Sequence, residues 1–248
     1  MGGNVFQGTS DFDHEVIDDI LDTINSALKG TGIEAIPVGS AATPTPGKRS
    51  GDLDVIVDQE AVQRFFDQRD PKNARKMLRD YIDEKGLDTA QSGINVHVRV
   101  PVGSESHQVD IMVVPEALAV SKFHTHNIPV NSPYKGKHKQ LLMAIIAKEK
   151  GMMWSAWQGL FSRNEVGKKG DFITADLDKI AELLLGDGKT EKDLGSVEDI
   201  LNSLPRSEAE ALMKKAEEDP NWTTVKTESL ADHNFNRIVM LTQSILVR

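Results

Sequence analysis

Ser50-Gly51-Asp52-Leu53-Asp54-Val55-Ile56-Val57 has the composition of a buried β-strand, yet it opens with two acids that flank a leucine. Successive side chains on a strand point to opposite faces, so Asp52 and Asp54 share one face and Leu53, Val55 and Val57 the other. A second strand carries a similar exception. In Gln108-Val109-Asp110-Ile111-Met112-Val113-Val114 the acid stands between apolar neighbours, and Pro115 ends the run. If the two strands are neighbours in one sheet, three carboxylates converge. Their mutual repulsion in a partly dry site calls for positive charge. Hard divalent cations with oxygen ligands supply it, and Mg2+ prefers carboxylates together with substrate phosphates.

Working outward, residues 33–38 read as a short strand that ends in Gly39-Ser40. A glycine there lets the backbone approach a phosphate, and the serine hydroxyl and N–H can donate to it. Residues 41–51 are a loop broken by Pro44, Pro46, Gly47 and Gly51. Upstream, apolar residues from Val16 to Leu28 recur at helical spacing, which predicts a helix over 10–28 with Ser10 and Asp13 as its capping pair and Gly30 as its stop. Residues 1–9 read as a disordered or tag-like lead. Downstream, helices are expected near 59–68 and 71–85, the latter with Pro71 in its first turn. Residues 94–100 alternate as a half-buried strand, with His97 and Arg99 on the face expected to meet solvent, and Gly103–Ser106 is a hairpin turn before the 108–114 strand.

Past residue 130 helical periods dominate, at roughly 137–150, 154–162, 174–185, 196–203 and 207–218, while 236–247 suits helix or strand. Two domains are therefore expected, 10–129 and 130–248. The fold class is α+β: a mixed sheet flanked by helices, followed by a mostly helical lobe.

At this point a family resemblance can be stated. Apolar-Gly-Ser, a loop, Asp-x-Asp, then apolar-Asp-apolar resembles the polymerase-beta nucleotidyltransferase superfamily. The segments 50–57 and 109–115 are most similar to the family X DNA polymerases. Lys148-Glu149-Lys150-Gly151 followed by Gly159-Leu160-Phe161 resembles the helix and hairpin after their palm, and 173–186 the next helix of their thumb. The resemblance implies a nucleotidyltransferase palm and a thumb-like lobe without the N-terminal helical region of larger members. It implies that Asp52, Asp54 and Asp110 are catalytic and hold two Mg2+ ions, with Mn2+ able to substitute. Gly39 and Ser40 would bind the triphosphate of an NTP or dNTP. An arginine usual soon after the Gly-Ser is replaced by Ala41, Ala42 and Thr43, and Lys48, Arg49 and Lys137 are the cations expected at the nucleotide instead.

The implied reaction moves a nucleoside monophosphate from a (d)NTP to a hydroxyl, as in a compact family X-like DNA polymerase or terminal transferase. DNA is the favoured acceptor and RNA a possible one. The alternatives are an RNA or tRNA 3′-end, protein or small-molecule nucleotidyltransferase, and a non-catalytic binding module on the same fold.

Bulk properties set limits on these readings. The chain has 248 residues and a net charge of −9, which argues against a broad basic nucleic-acid surface but permits a local groove. With no cysteine there is neither a disulfide nor a thiolate zinc site. No signal peptide and no membrane span is evident, and a cytoplasmic location is expected. Other candidates have plainer readings. Lys135, Lys137, His138 and Lys139 suit a solvated helix start as well as a phosphate contact. Trp154 and Trp157 suit a helical core, His124 and His126 a surface loop. Asp176-Leu177-Asp178 repeats the Asp-x-Asp spelling at a helix start, where acids favour the helix dipole.

Overall fold

The computed structural model gives residues 5–42, 44, 46–125 and 132–222, with the backbone alone at 40 and 41. The chain forms two compact units that meet in sequence at Thr125 and His126. The expected boundary at 129/130 and the ambiguous 236–247 stretch lie outside the described residues.

The first unit is built on a five-stranded mixed sheet with the order β2-β4-β7-β6-β5, where β2 is Ile36–Pro37, β4 Asp52–Asp58, β5 Thr89–Ser92, β6 Asn95–Val102 and β7 Glu105–Val114. Strands β4 and β7 run parallel, so a long crossover must join them. It contains helices α2 (Gln59–Phe65) and α3 (Pro71–Glu84) and then β5 and β6. Asp70 caps α3 by accepting from Lys72 N and Asn73 N, and Pro71 supplies the preset first turn.

Alternation divides the sheet faces sharply. Leu53, Val55, Val57, Val96, Val98, Val100, Val109, Ile111 and Val113 form one core with Ile20 and Ile24 of α1 (Ile17–Ala27) and Leu78 and Ile82 of α3. The other face carries Asp52, Asp54, Gln108 and Asp110 at one end. At the far end Ile56 and Met112 are buried, as are Val120 and Phe123 of α4 (Ala117–Thr125), which packs against β4 and β2.

The N-terminal segment departs from expectation. Residues 10–16 do not start the helix: Phe12–Asp13 form strand β1, paired antiparallel with β3 (Arg49–Ser50), and a 3-10 turn leads into α1 at Ile17. The β-branched Val16 and Ile17 and the buried Phe12, whose ring meets His107 edge-on, favour pairing over an early helical turn. Residues 5–9 are no free lead either, since Val5 N donates to Gln108 Oε1 at 2.8 Å and Ser10 N to the Ser106 carbonyl at 2.9 Å.

The second unit mixes helices with a sheet that the periodicity did not predict. It contains α5 (Gly136–Glu149), α6 (Leu177–Leu185), α7 (Val197–Ser203) and α8 (Arg206–Glu218) around buried Leu142, Met143, Ile180, Leu184, Ile200 and Trp222. Residues 154–162 are not a helix. They belong to β8 (Met152–Ser155) and β9 (Gly159–Arg163), extended by β10 (Lys169–Thr174). The tryptophans mislead because Trp154 lies on β8 and Trp157 in the hairpin turn, and both are half-buried. Gly159 explains the geometry: its φ is +93°, and a Cβ there would stand 2.4 Å from the Thr174 carbonyl oxygen, so β10 closes only over a glycine. Asp176 caps α6 by accepting from Lys179 N at 3.0 Å, the helix-start role expected of it. His124 lies half-buried in α4 rather than in a loop, and His126 is outside the described residues.

Candidate active site

The parallel register of β4 and β7 sets Asp54 directly beside Asp110 and Asp52 beside Gln108. Hydrogen-bonded strands lie about 4.8 Å apart and residues two apart on a strand about 6.6 Å, so all three acids share one face with the Asp52 and Asp110 backbones roughly 8 Å apart. Asp52 and Asp54 are half-buried, and Asp110 is buried at 8% exposure.

Strand β6 completes the face. The hairpin sets His97 across from Asp110, and its Nδ1 lies 2.8 Å from Asp110 Oδ1. The same oxygen accepts from Gln108 Nε2 at 2.9 Å. The other imidazole nitrogen, Nε2, lies 2.7 Å from Ser92 Oγ on β5. His97 is 5% exposed, so the expectation that it faces solvent is wrong. The polar side of a strand meets water only where nothing covers it, and here three strands aim polar groups at one another. A carboxylate has no proton of its own to give, so Nδ1–H donates to ionised Asp110 and the imidazole orients it. One oxygen of Asp110 is thus engaged twice, and the carboxylate plane is set.

Gly39 approaches from β2. Val38 N donates to the Asp54 carbonyl at 3.0 Å, and the chain then turns at Gly39 with φ +63° into a 3-10 turn over Gly39–Ala42. A Cβ on Gly39 would lie 3.9 Å from Asp54 Oδ2, an ordinary contact, so the positive φ is what calls for glycine. The backbone at 39–40 therefore passes close to an acid of the site. The Ser40 side chain lies outside the described part of the structure.

The other expected cations each have surroundings of their own. Arg49 donates from Nη2 to the Asp11 carbonyl at 3.0 Å and lies 3.7 Å from Asp13 Oδ1, which fastens β3 to the N-terminal segment. Lys48 is exposed on the same loop. Lys137 is exposed in the first turn of α5 and lines a cleft of about 400 Å3 with Gln140, Trp154 and Asn221. A solvated helix start, one of the two readings of its neighbours, does not hold for His138 and Lys139. His138 is fully buried and accepts from Lys135 N through Nδ1 at 2.9 Å, while Lys139 is 3% exposed and donates from Nζ to the Gly195 carbonyl at 3.3 Å. Burial pulls the Lys139 ammonium down to about 7, with Asp199 opposing the shift.

The donor set offered by Asp52, Asp54 and Asp110 is entirely carboxylate oxygen, which suits Mg2+ or Mn2+ rather than thiophilic or imidazole-bound metals. Among the described residues no three His, Asp or Glu side chains are closed into a ready metal cage. The Asp110 oxygen that turns toward His97 and Gln108 gives that openness a physical basis: cation binding would use the second oxygen, with Asp52 and Asp54 adjusting their side chains. Gln108 and Ser92 are members of the site that no sequence pattern marked, and His97 is one that the strand pattern assigned to solvent. A signal for His97 was present, since a two-residue turn at Gly103-Ser104 fixes the hairpin register and places 97 opposite 110.

No family model matches the chain, and no curated protein matches it. Among solved structures it is similar to polymerase beta of Leishmania infantum in a ternary P/T complex, at 18% identity and a TM-score of 0.43, over 79% of this chain and 74% of that one. No helix among the described residues is long and apolar enough to cross a membrane.

Proposed function

We propose that this chain is a metal-dependent nucleotidyltransferase that moves a nucleoside monophosphate from a (d)NTP to a hydroxyl acceptor, in the manner of a compact family X-like DNA polymerase or terminal transferase. The observation that carries the reading is the parallel pairing of Asp54 with Asp110, with Asp52 on the same face and the Gly39 turn against Asp54. A three-carboxylate face beside a tight glycine turn suits chemistry that gathers positive charge around phosphates.

Asp52, Asp54 and Asp110 would hold two divalent cations, which when bound supply the charge that stabilises the attacking and leaving oxygens of an in-line displacement. The protein's own part is positioning. Gly39 and Ser40 would present backbone N–H groups to the triphosphate, with Lys48, Arg49 and Lys137 as further candidates for its negative charge. His97 and Gln108 hold the Asp110 carboxylate in one orientation. The acceptor hydroxyl oxygen forms a bond to the α-phosphorus, the bond from that phosphorus to the bridging oxygen breaks, and pyrophosphate departs with the electron pair. The hydroxyl proton leaves toward Asp110 or water.

Asp110→Asn tests this. An asparagine can still accept from His97 and Gln108 but has lost the charge. With labelled dNTPs or NTPs, Mg2+ and a primed DNA, single-stranded DNA or RNA acceptor, the wild type should extend at least one acceptor. The variant should lose about 100-fold or more, in line with removal of one preorganised electrostatic group. Template-directed extension selects polymerase, and untemplated addition selects terminal transferase. Transfer to RNA, protein or a small molecule alone keeps the chemistry and changes the acceptor. No transfer to any acceptor by the wild type sinks the proposal.

A further inference from the structure

Helix α3 carries Lys72, Arg75, Lys76 and Arg79, spaced i, i+3, i+4 and i+7, which is one face of a helix. The adjoining face buries Ala74, Leu78 and Ile82. The four cations line a groove of about 590 Å3, closed on its other side by Gln91 of β5 and by Gly93 in the turn to β6. No acidic residue is among the described residues that line it. We propose that this groove binds the phosphodiester backbone of a nucleic acid strand.

The charge arrangement needs an explanation in a chain of net charge −9. Like charges at i, i+3 and i, i+4 destabilise a helix by a few tenths of a kcal/mol per pair. The compensation in the fold is partial: Arg79 donates from both Nε, at 2.8 Å, and Nη2, at 2.5 Å, to Asp80 Oδ1, and Asp70 acts on Arg75 through space, while Lys72 and Lys76 are exposed. Arg75 adds an independent sign. Its Nε is buried and has no hydrogen-bond partner among the described residues, so the fold leaves the hydrogen-bonding capacity of this guanidinium partly unused.

The shape selects the ligand. From Lys72 to Arg79 the stripe runs about 10 Å at 1.5 Å per residue, the axial length of roughly three nucleotides on one strand. A single phosphate would engage one or two of these side chains and leave the rest uncompensated. Among the described residues no aromatic ring lines the groove, so bases have nothing there to stack on, and recognition would go through the backbone without sequence preference. The groove is also separate from the acidic site. Ser92 turns toward His97 on the aspartate face, so its neighbour Gln91 points to the helix-covered face of the edge strand β5.

The test uses the full chain in EDTA without nucleotide, so that it does not depend on the transfer chemistry. Fluorescence anisotropy with a labelled single-stranded oligonucleotide of about 20 residues would be read from about 50 to 200 mM salt. K72E/K76E changes two exposed side chains and should leave the melting temperature close to wild type. It should weaken binding about 10-fold or more and flatten the slope of log K against log salt by about 1.4, at roughly 0.7 per lost contact on a single strand. K29E/K214E makes the same change of net charge on exposed lysines elsewhere and should weaken binding far less. Equal losses in the two variants, an unchanged slope in K72E/K76E, or no oligonucleotide binding by the wild type would overturn the groove. So would binding of an acidic peptide or anionic vesicle in preference to the oligonucleotide. Absence of transfer with retained, groove-dependent oligonucleotide binding would remove the proposed activity and leave this inference standing.

Discussion

Replacing His97 by alanine should cost the first unit much of its stability and disable the acidic site at once. His97 is 5% exposed and sits between Asp110 at 2.8 Å and Ser92 at 2.7 Å. Losing a hydrogen bond to a charged group costs about 1.5–3 kcal/mol and losing a neutral one about 1 kcal/mol. Trimming a buried ring adds a cavity term that depends on how far the site collapses. Gln108 Nε2 still serves Asp110, which limits the damage. A total of about 3–5 kcal/mol lowers the melting temperature of a unit this size by on the order of 10 °C. Circular dichroism melts of wild type, His97→Ala, His97→Gln and His97→Phe would measure it. Glutamine retains a donor and should recover part of the loss, whereas phenylalanine restores volume but leaves Asp110 one donor short. Transfer assays on folded protein below the transition should show kcat falling more than KM for the nucleotide, because orientation of Asp110 and not capture of substrate is impaired. A His97→Ala variant that melts within about 2 °C of wild type would refute the reasoning, because a buried charged contact cannot be worth so little on this accounting.

Three further outcomes follow. Gly39→Ala forces a side chain into φ +63° and should cost about 1–2 kcal/mol in denaturant unfolding, with a larger loss of nucleotide affinity as the turn shifts against Asp54; equal losses in Gly30→Ala, a glycine at φ +82° in the turn after α1, would show that only generic strain is being measured. Lys139→Met should gain most over wild type near pH 6. The folded-state value of about 7 lies below the ordinary 10.5, so the wild type carries the full penalty of a buried charge below about 7 and sheds it as the pH rises toward 10.5, while methionine does not titrate; a stability gap that is constant between pH 6 and pH 10 would show that Lys139 does not lose its proton on folding. Mg2+ or Mn2+ with a nucleotide should raise the melting temperature of wild type, by about 2.7 kcal/mol of stabilisation at a concentration 100 times the dissociation constant, and should do so less for Asp110→Asn; a flat response to every nucleotide favours the binding-module alternative.

What the sequence made legible was whatever period 2 and turn chemistry control. Strands β4, β6 and β7 and the placement of Asp52, Asp54 and Asp110 followed from alternation, and the starts of α3 and α6 from Pro71 and Asp176. Reading failed where a partner strand decides the outcome. Phe12-Asp13 is too short to show a period, and it becomes a strand only because Arg49-Ser50 lies beside it. Trp154 and Trp157 mimic a helical pair across a hairpin turn, and β10 owes its place to the bare backbone of Gly159. There the resemblance to a hairpin segment was the better guide than periodicity. His97, His138 and Lys139 show the same limit in polar form: no pattern along the chain says that a polar face will be roofed over, and each is satisfied by a group distant in sequence or by a capping contact visible only in three dimensions.

The parallel neighbourhood of β4 and β7 has a consequence for how the site comes into being. Its acids arrive on strands separated by an excursion through two helices and two further strands, and no local contact can bring them together early. Pairing of this kind is slow because the closure entropy of the intervening chain must be met first. One of the three acids is therefore absent from the face until the central strand docks, and a cation can reward only the finished arrangement. It would act as a latch on the last step of assembly and not as a seed for the first.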